Sequence, residues 1–282
     1  MNSDNHEYLN CIAREMRKKI FKMAYKAGGG HIAPAFSIVE ILTAIYMGGI
    51  LQYDPQRPDN PQRDRFILSK GHASAALYAV LAQAGYFDEA LLDTFCQAGS
   101  ILGGHPNMHE IPGVEASTGA LGHGLGFACG IAMAGKLDKQ DYQVFVLIGD
   151  GECQEGSIWE AALFAATQKL DNLTVILDYN KLQAMDRLDN IIKMEPFMDK
   201  WRAFGWQVEA VDGHNIPALT TALAKKPEAN NSPRIIIADT IKGKGVSFME
   251  SVPIWHFRLP DEEELKIVLN ELEMDMQELM GS

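Results

Sequence analysis

The sequence places Asp150 between two glycines, directly after an apolar run, Gln143–Ile148, and places Asn180 just past the next such run, Leu173–Asp178. If both runs are strands of one parallel sheet, their C-terminal ends share an edge, and ligands bind outside that edge at a topological switch point. A carboxylate and a side-chain amide oxygen converging there are hard donors. They suit Mg²⁺ or Ca²⁺, with phosphate oxygens completing the coordination shell. Gly149 and Gly151 allow the backbone to approach an anion closely. A helix opening near Gly156 would aim its free N–H groups at a diphosphate. The spacing describes a metal–diphosphate site; the plainer alternative is a strand-to-helix turn with a capping aspartate.

The histidines form a second unusual pattern. Five of the eight directly follow a glycine: His31, His72, His105, His123 and His214. Histidines on glycine-rich loops suit proton handling and the holding of hydroxyls, although their spacing shows neither convergence nor role. Other motifs are incomplete. Gly122-His-Gly124-Leu-Gly126 is half of a dinucleotide fingerprint, but it follows Ser117-Thr118-Gly119 and not an apolar strand. Lys242-Gly-Lys-Gly lacks the rest of a P-loop, and Ser69-Lys70 has no partner for nucleophilic chemistry. A nicotinamide-dependent oxidoreductase would need that fingerprint after a strand, with an acidic residue about twenty positions on, and none is found. A non-catalytic chain that keeps only the fold is the other alternative; the presence of both Asp150 and Asn180 argues against it.

These residues need a scaffold, and the second half of the chain supplies one. Strand Gln143–Ile148, a glycine turn, a helix over Ser157–Lys169 and strand Leu173–Asp178 make a βαβ unit and hence a parallel sheet. Trp206–Val211, Arg234–Ala238 and a short Arg65–Ser69 run predict further strands. Apolar spacing predicts helices over Asn10–Tyr25, ended by Gly28-Gly29-Gly30, and over Ser74–Ala84. Ser37–Met47 reads as a helix with a Ser37–Glu40 capping box, and Asp261–Met280 as one acidic amphipathic helix. Prolines build the loop from Asp54 to Pro61, and the stretch from Gly99 to Gly119 has no period. No linker interrupts the chain, so the expectation is one α/β domain over residues 1–282, a parallel sheet flanked by helices.

Composition excludes other classes. Of the 282 residues, 25 are Lys or Arg and 37 are Asp or Glu, for a net charge of −12 with no basic run, so a nucleic-acid partner is not expected. The longest apolar stretch, Ile41–Leu51, is broken by Gly48 and Gly49 and is too short for a bilayer. The polar N-terminus lacks the features of a signal peptide. Four scattered cysteines (Cys11, Cys96, Cys129 and Cys153) have no metal-site spacing and read as buried thiols of a cytoplasmic protein.

Taken together, the motifs resemble the N-terminal half of transketolases over nearly the whole chain. Gly149-Asp150-Gly151, with Asn180 after twenty-eight intervening residues, is similar to the thiamine diphosphate motif of that superfamily. Closer to transketolases are the segments Arg63–His72, Gly104-His-Pro106, Thr118–Leu125, Gly149–Gly156 and Ile241–Val246. The resemblance implies a thiamine diphosphate-binding fold and the transfer of a two-carbon ketol unit from a ketose to an aldose. It implies that Asp150, Asn180 and the Leu182 carbonyl hold Mg²⁺ or Ca²⁺, with the diphosphate beside Gly151. Gly119 and Leu121 would lie against the cofactor and His72 near its diphosphate. His31, His105 and His256 would surround the reacting carbons, and Glu155 would join a carboxylate network crossing the interface between subunits.

A complete transketolase also has a pyrimidine-binding domain, carrying the activating glutamate, and a C-terminal domain. Neither is found in this sequence. The resemblance therefore implies the N-terminal, diphosphate-binding subunit of a split enzyme, working as α₂β₂ with a separate C-terminal transketolase subunit on sugar or sugar-phosphate substrates. Three departures from the family pattern mark the site: Ala33 in place of a glycine, Arg187 after Asp186, and Phe257 after His256.

Overall fold

A computed structural model describes residues 3–225 and 231–281. Helix α1 (Ser3–Lys26) starts earlier than its apolar period predicts, because the polar residues of its first turns carry no period to mark them. The predicted Ser37–Met47 helix is instead two, α2 (Ile32–Phe36) and α3 (Val39–Tyr46). Ser37 caps neither: its Oγ donates to the Pro34 carbonyl (3.0 Å) and to the Asp178 carboxylate (2.8 Å). Glu40 is likewise claimed by Arg17 and His214. Buried charge outcompetes the local capping box.

Strand β1 (Arg65–Leu68) leads to α4 (Ser74–Gln83), and a long loop without period runs from there to α5 (Gly124–Leu137). Strand β2 (Val144–Gly149), α6 (Gly156–Thr167) and β3 (Leu173–Tyr179) form the predicted βαβ unit. Two short helices follow, α7 (Leu188–Ile191) and α8 (Phe197–Ala203), then β4 (Gln207–Asp212), α9 (Ile216–Leu223) and β5 (Arg234–Asp239). The acidic C-terminal helix is broken into α10 (Glu262–Glu271) and α11 (Met276–Met280). Glu273 takes a left-handed conformation (φ +53°), which turns the chain so that Leu272, Met274 and Leu279 all reach the core. The apolar period spans the break and so conceals it.

The five strands are all parallel, in the order β1-β2-β3-β5-β4. Strands buried on both faces read as continuous apolar runs, and alternate residues serve alternate faces. Phe145, Leu147, Ile176 and Ile236 pack with α1, α3, α4 and α9. Val146, Ile148, Val175, Leu177, Ile235 and Ile237 pack with α5, α6 and α8 on the other face. Cys129 and Cys153 are buried, but Cys11 and Cys96 are exposed, against the expectation that all four are buried; none is bonded to another. Among the described residues no helix is long and apolar enough to cross a membrane.

Candidate active site

The sheet register sets the site. Gly149 of β2 pairs with Asp178 of β3, so Asp150 and Asn180 leave the same edge one and two residues later. Asp150, 2% exposed, accepts the Gly151 N–H (2.7 Å) and the Lys181 N–H (2.5 Å). It caps its turn and also lines a cavity. The Asn180 amide is oriented without ambiguity: its Nδ2 donates to Asp178 (2.9 Å) and its Oδ1 accepts the Leu182 N–H (3.0 Å). Leu182 is fixed in turn by an antiparallel bridge to Arg187, so the Arg187 departure leaves a closed turn. Asp150, Asn180 and Leu182 all line one cavity.

Beneath them sits Asp178, fully buried, accepting from Ser37, Lys70 (2.5 Å), Asn180 and Thr240. Burial pushes its carboxyl upward, but Lys70 together with the Thr240 and Ser37 hydroxyls outweighs this and holds it below the usual range. Burial, with Asp178 adding repulsion, raises Asp150 to about 7.

The cavity at this edge has a volume of about 320 Å³. Gly151, Asn180 and Leu182 line it, as do Gly119, Leu121 and Glu155. His72, His105 and His256 line it too. His31 packs against all three, with ring centroids 5.3, 6.2 and 5.1 Å away. Burial above all, together with nearby cations and each other, depresses His31 to about 4, His256 to about 3 and His72 well below its ordinary value. These three are neutral imidazoles at neutral pH, able to accept as well as donate a proton. The other glycine-linked histidines do not join them. His123 stands before α5, and His214 is bound by Glu40 and the Ile241 N–H.

Two loops are shaped for close approach. A Cβ on Gly119 (φ +149°) would lie 2.9 Å from the His105 ring, and one on Gly122 (φ +83°) 2.4 Å from Ser157 Oγ. Gly156 does not line the cavity: a 3₁₀ turn, Gly151–Gln154, separates α6 from Asp150, and Gly151, Glu152 and Gln154 of that turn line it instead. Ala33 tolerates its methyl because the close approach uses its carbonyl, which accepts the Gly243 N–H (3.1 Å). Phe257 lies edge-on to His31, with centroids 4.9 Å apart, beside Gly29.

Sequence reasoning missed Lys242 and Lys70 as cavity-lining cations. Lys242 is 2% exposed, donates to the Gln183 carbonyl (2.9 Å), and is lowered to about 8 by burial and by the charge of Lys70. Both lie inside motif segments, Ile241–Val246 and Arg63–His72, that gave no hint of which side chains turn inward.

Residues 10–278 match the family model described as the transketolase thiamine diphosphate binding domain. One subunit of the apulose-4-phosphate transketolase of Phocaeicola vulgatus is 41% identical, over 97% of this chain and 96% of that protein. A 6-deoxy-6-sulfo-D-fructose transketolase subunit of a Clostridium species is 42% identical, over 93% of this chain and 95% of that one. The solved transketolase of Campylobacter jejuni superposes with a TM-score of 0.89 at 31% identity, covering 98% of this chain and 44% of that chain. The chain thus spans under half the length of that transketolase but nearly all of the two bacterial subunits. It belongs to the transketolase family, as the N-terminal, thiamine diphosphate-binding subunit of a split enzyme.

Proposed function

We propose that this chain supplies the diphosphate half of a ketol-transfer site and turns over only with a partner subunit that carries the pyrimidine-binding domain. The observation that carries the reading is the convergence of Asp150, Asn180 and Leu182 with His72, His105 and His256 on one cavity, with His31 packed against those three rings. The cavity fits the cofactor and its metal. Among the described residues Asp150 makes no ion pair, and burial with repulsion from Asp178 disfavours its charge, which a divalent ion would restore. Among the described residues the Nδ1 of His256 is buried without a hydrogen-bond partner, and Gly119 and Gly151 leave room that a side chain would fill.

Asp150, Asn180 and the Leu182 carbonyl would hold Mg²⁺ or Ca²⁺, with the diphosphate beside Gly151 and His72. Gly119 and Leu121 would lie along the cofactor. When bound, thiamine diphosphate supplies the carbon nucleophile and electron sink that cleave a ketose between C2 and C3 and carry the two-carbon unit to an aldose. His31, His105 and His256 orient the sugar hydroxyls, and the neutral state of His31 and His256 lets them take and return protons. The apulose-4-phosphate transketolase relative supports a phosphorylated ketose as the donor.

The partner surface is supported by the outer faces of α5 and α6. Phe127, Leu163 and Phe164 are 48%, 54% and 43% exposed there. The same helices start beside Leu121 and Glu155 at the rim of the cavity. An apolar face of this kind marks an interaction site, and an α₂β₂ assembly would cover it and complete the carboxylate network at Glu155. Four unbonded cysteines are consistent with a reducing cytoplasm.

The test is Asp150→Ala, purified in thiamine diphosphate and Mg²⁺ from its own cells. Loss of metal-dependent cofactor retention, with helical content unchanged, is the expected result; unchanged retention overturns the site. The native mass of the wild-type preparation reports the partner at the same time.

A further inference from the structure

The loops that line the cavity come from distant parts of the chain, and one side chain outside the metal set reaches three of them. Glu152 is 2% exposed. Its Oε1 accepts the Gly122 N–H (2.9 Å) and the Ser69 hydroxyl, and its Oε2 accepts the Gly149 N–H (3.0 Å). Among the described residues the structure gives it no ion pair; its bonded partners are three neutral donors. Each donor adjoins lining residues of a different loop. Ser69 precedes Lys70 and His72, Gly122 follows Gly119 and Leu121, and Gly149 precedes Asp150 and Gly151.

We infer that Glu152 is a positioning residue, whose buried carboxylate ties the three cofactor-lining loops into one cradle before the cofactor arrives. The inference rests on the cofactor site proposed above. Without the carboxylate, three donors stay buried with no acceptor, a cost that each relieves only by moving toward water. The adjoining water-accessible space is the cavity itself, so relief opens the loops and lowers the fraction of molecules ready to bind. Apparent affinity falls in proportion to that fraction. Gly122 is pinned from both sides, since Ser157 Oγ donates to its carbonyl (2.9 Å) while Glu152 takes its N–H, so this loop cannot find another acceptor by a small shift.

Glu152→Ala removes both acceptor oxygens, whereas Glu152→Gln keeps the shape, leaves one oxygen for the three donors and turns an NH₂ toward at least one of them. Hydrogen–deuterium exchange of the cofactor-free protein is then followed in three segments, 69–73, 119–125 and 149–153. All three are expected to exchange faster together, by about tenfold, which is about 1.4 kcal/mol, while the amides of β3 and β5 keep their wild-type protection. With the partner subunit present, the KM for thiamine diphosphate should rise by a similar factor and kcat should recover in excess cofactor, which a merely misfolded site would not do. Unchanged exchange, faster exchange confined to 149–153, or uniform loss of protection including β3 overturns the inference. Glu152→Ala is the stronger perturbation, and Glu152→Gln is informative even if that variant does not fold. The two readings fail separately. If Asp150→Ala retains cofactor, the site assignment falls although the three segments still move together. If Glu152→Gln leaves exchange untouched, the cradle falls although Asp150→Ala still loses cofactor.

Discussion

Lys70→Met tests how charge is balanced under the site. Lys70 and Asp178 have side chains 3% and 0% exposed, with Nζ and Oδ2 2.5 Å apart. Lys70 also donates to the Pro34 carbonyl (3.1 Å), so it joins the end of β1 to β3 and α2. Methionine keeps the length and loses the charge, leaving Asp178 buried beside Asp150 with no cation bonded to it. Removing one partner of a buried pair costs about 3–5 kcal/mol. Unfolding entropy of about 2.1 cal/mol/K per residue gives about 0.6 kcal/mol/K for a chain of this size. The Tm of the cofactor-free protein should therefore fall by about 5–8 °C in a thermal melt followed by circular dichroism. Lys70→Met combined with Asp178→Asn removes the stranded charge while keeping an acceptor for Thr240, and should recover more than half of the loss. A single variant that loses under about 2 °C, or a double variant no better than the single, refutes the reasoning.

Two further outcomes follow from the geometry. The depressed imidazoles (His31 about 4, His256 about 3, His72 lower still) stay neutral in the fold while the unfolded chain takes up protons below its ordinary value. The cofactor-free protein should therefore lose stability as pH falls from about 6.5 toward 4. Asp150, raised to about 7, has the opposite sign, so the urea midpoint is best compared at pH 7 and 5 in an Asp150→Asn background. Adding His31→Asn and His256→Asn should flatten the dependence, and an unaltered slope counts against the histidine assignment. Phe127→Asp, on the exposed face of α5, should shift stability by no more than about 0.5 kcal/mol yet abolish co-purification of the partner subunit; a complex recovered at the wild-type level rules that face out.

What the sequence determined by itself was local or periodic. Apolar runs such as Gln143–Ile148 and Leu173–Asp178, separated by a helix, were enough to require a parallel sheet. That requirement alone put Asp150 and Asn180 on one edge, because strand direction fixes which ends share an edge. The glycines around those residues were legible for the same reason, since backbone conformation is a local property. Tertiary structure decided what distance along the chain conceals. His31, His72, His105 and His256 meet only because α2, the loop before α4, the long irregular loop and the segment after β5 return to one end of the sheet. No period links them, and the Gly-His pair does not mark them, since His123 and His214 share it and His256 lacks it. The same holds for Ser37 and Glu40, read as a capping box and taken instead by Asp178, Arg17 and His214. A capping bond is worth about 1 kcal/mol, whereas a buried charge without partners costs several, so the buried carboxylates and their partners chose the hydrogen bonds and the helix boundary gave way.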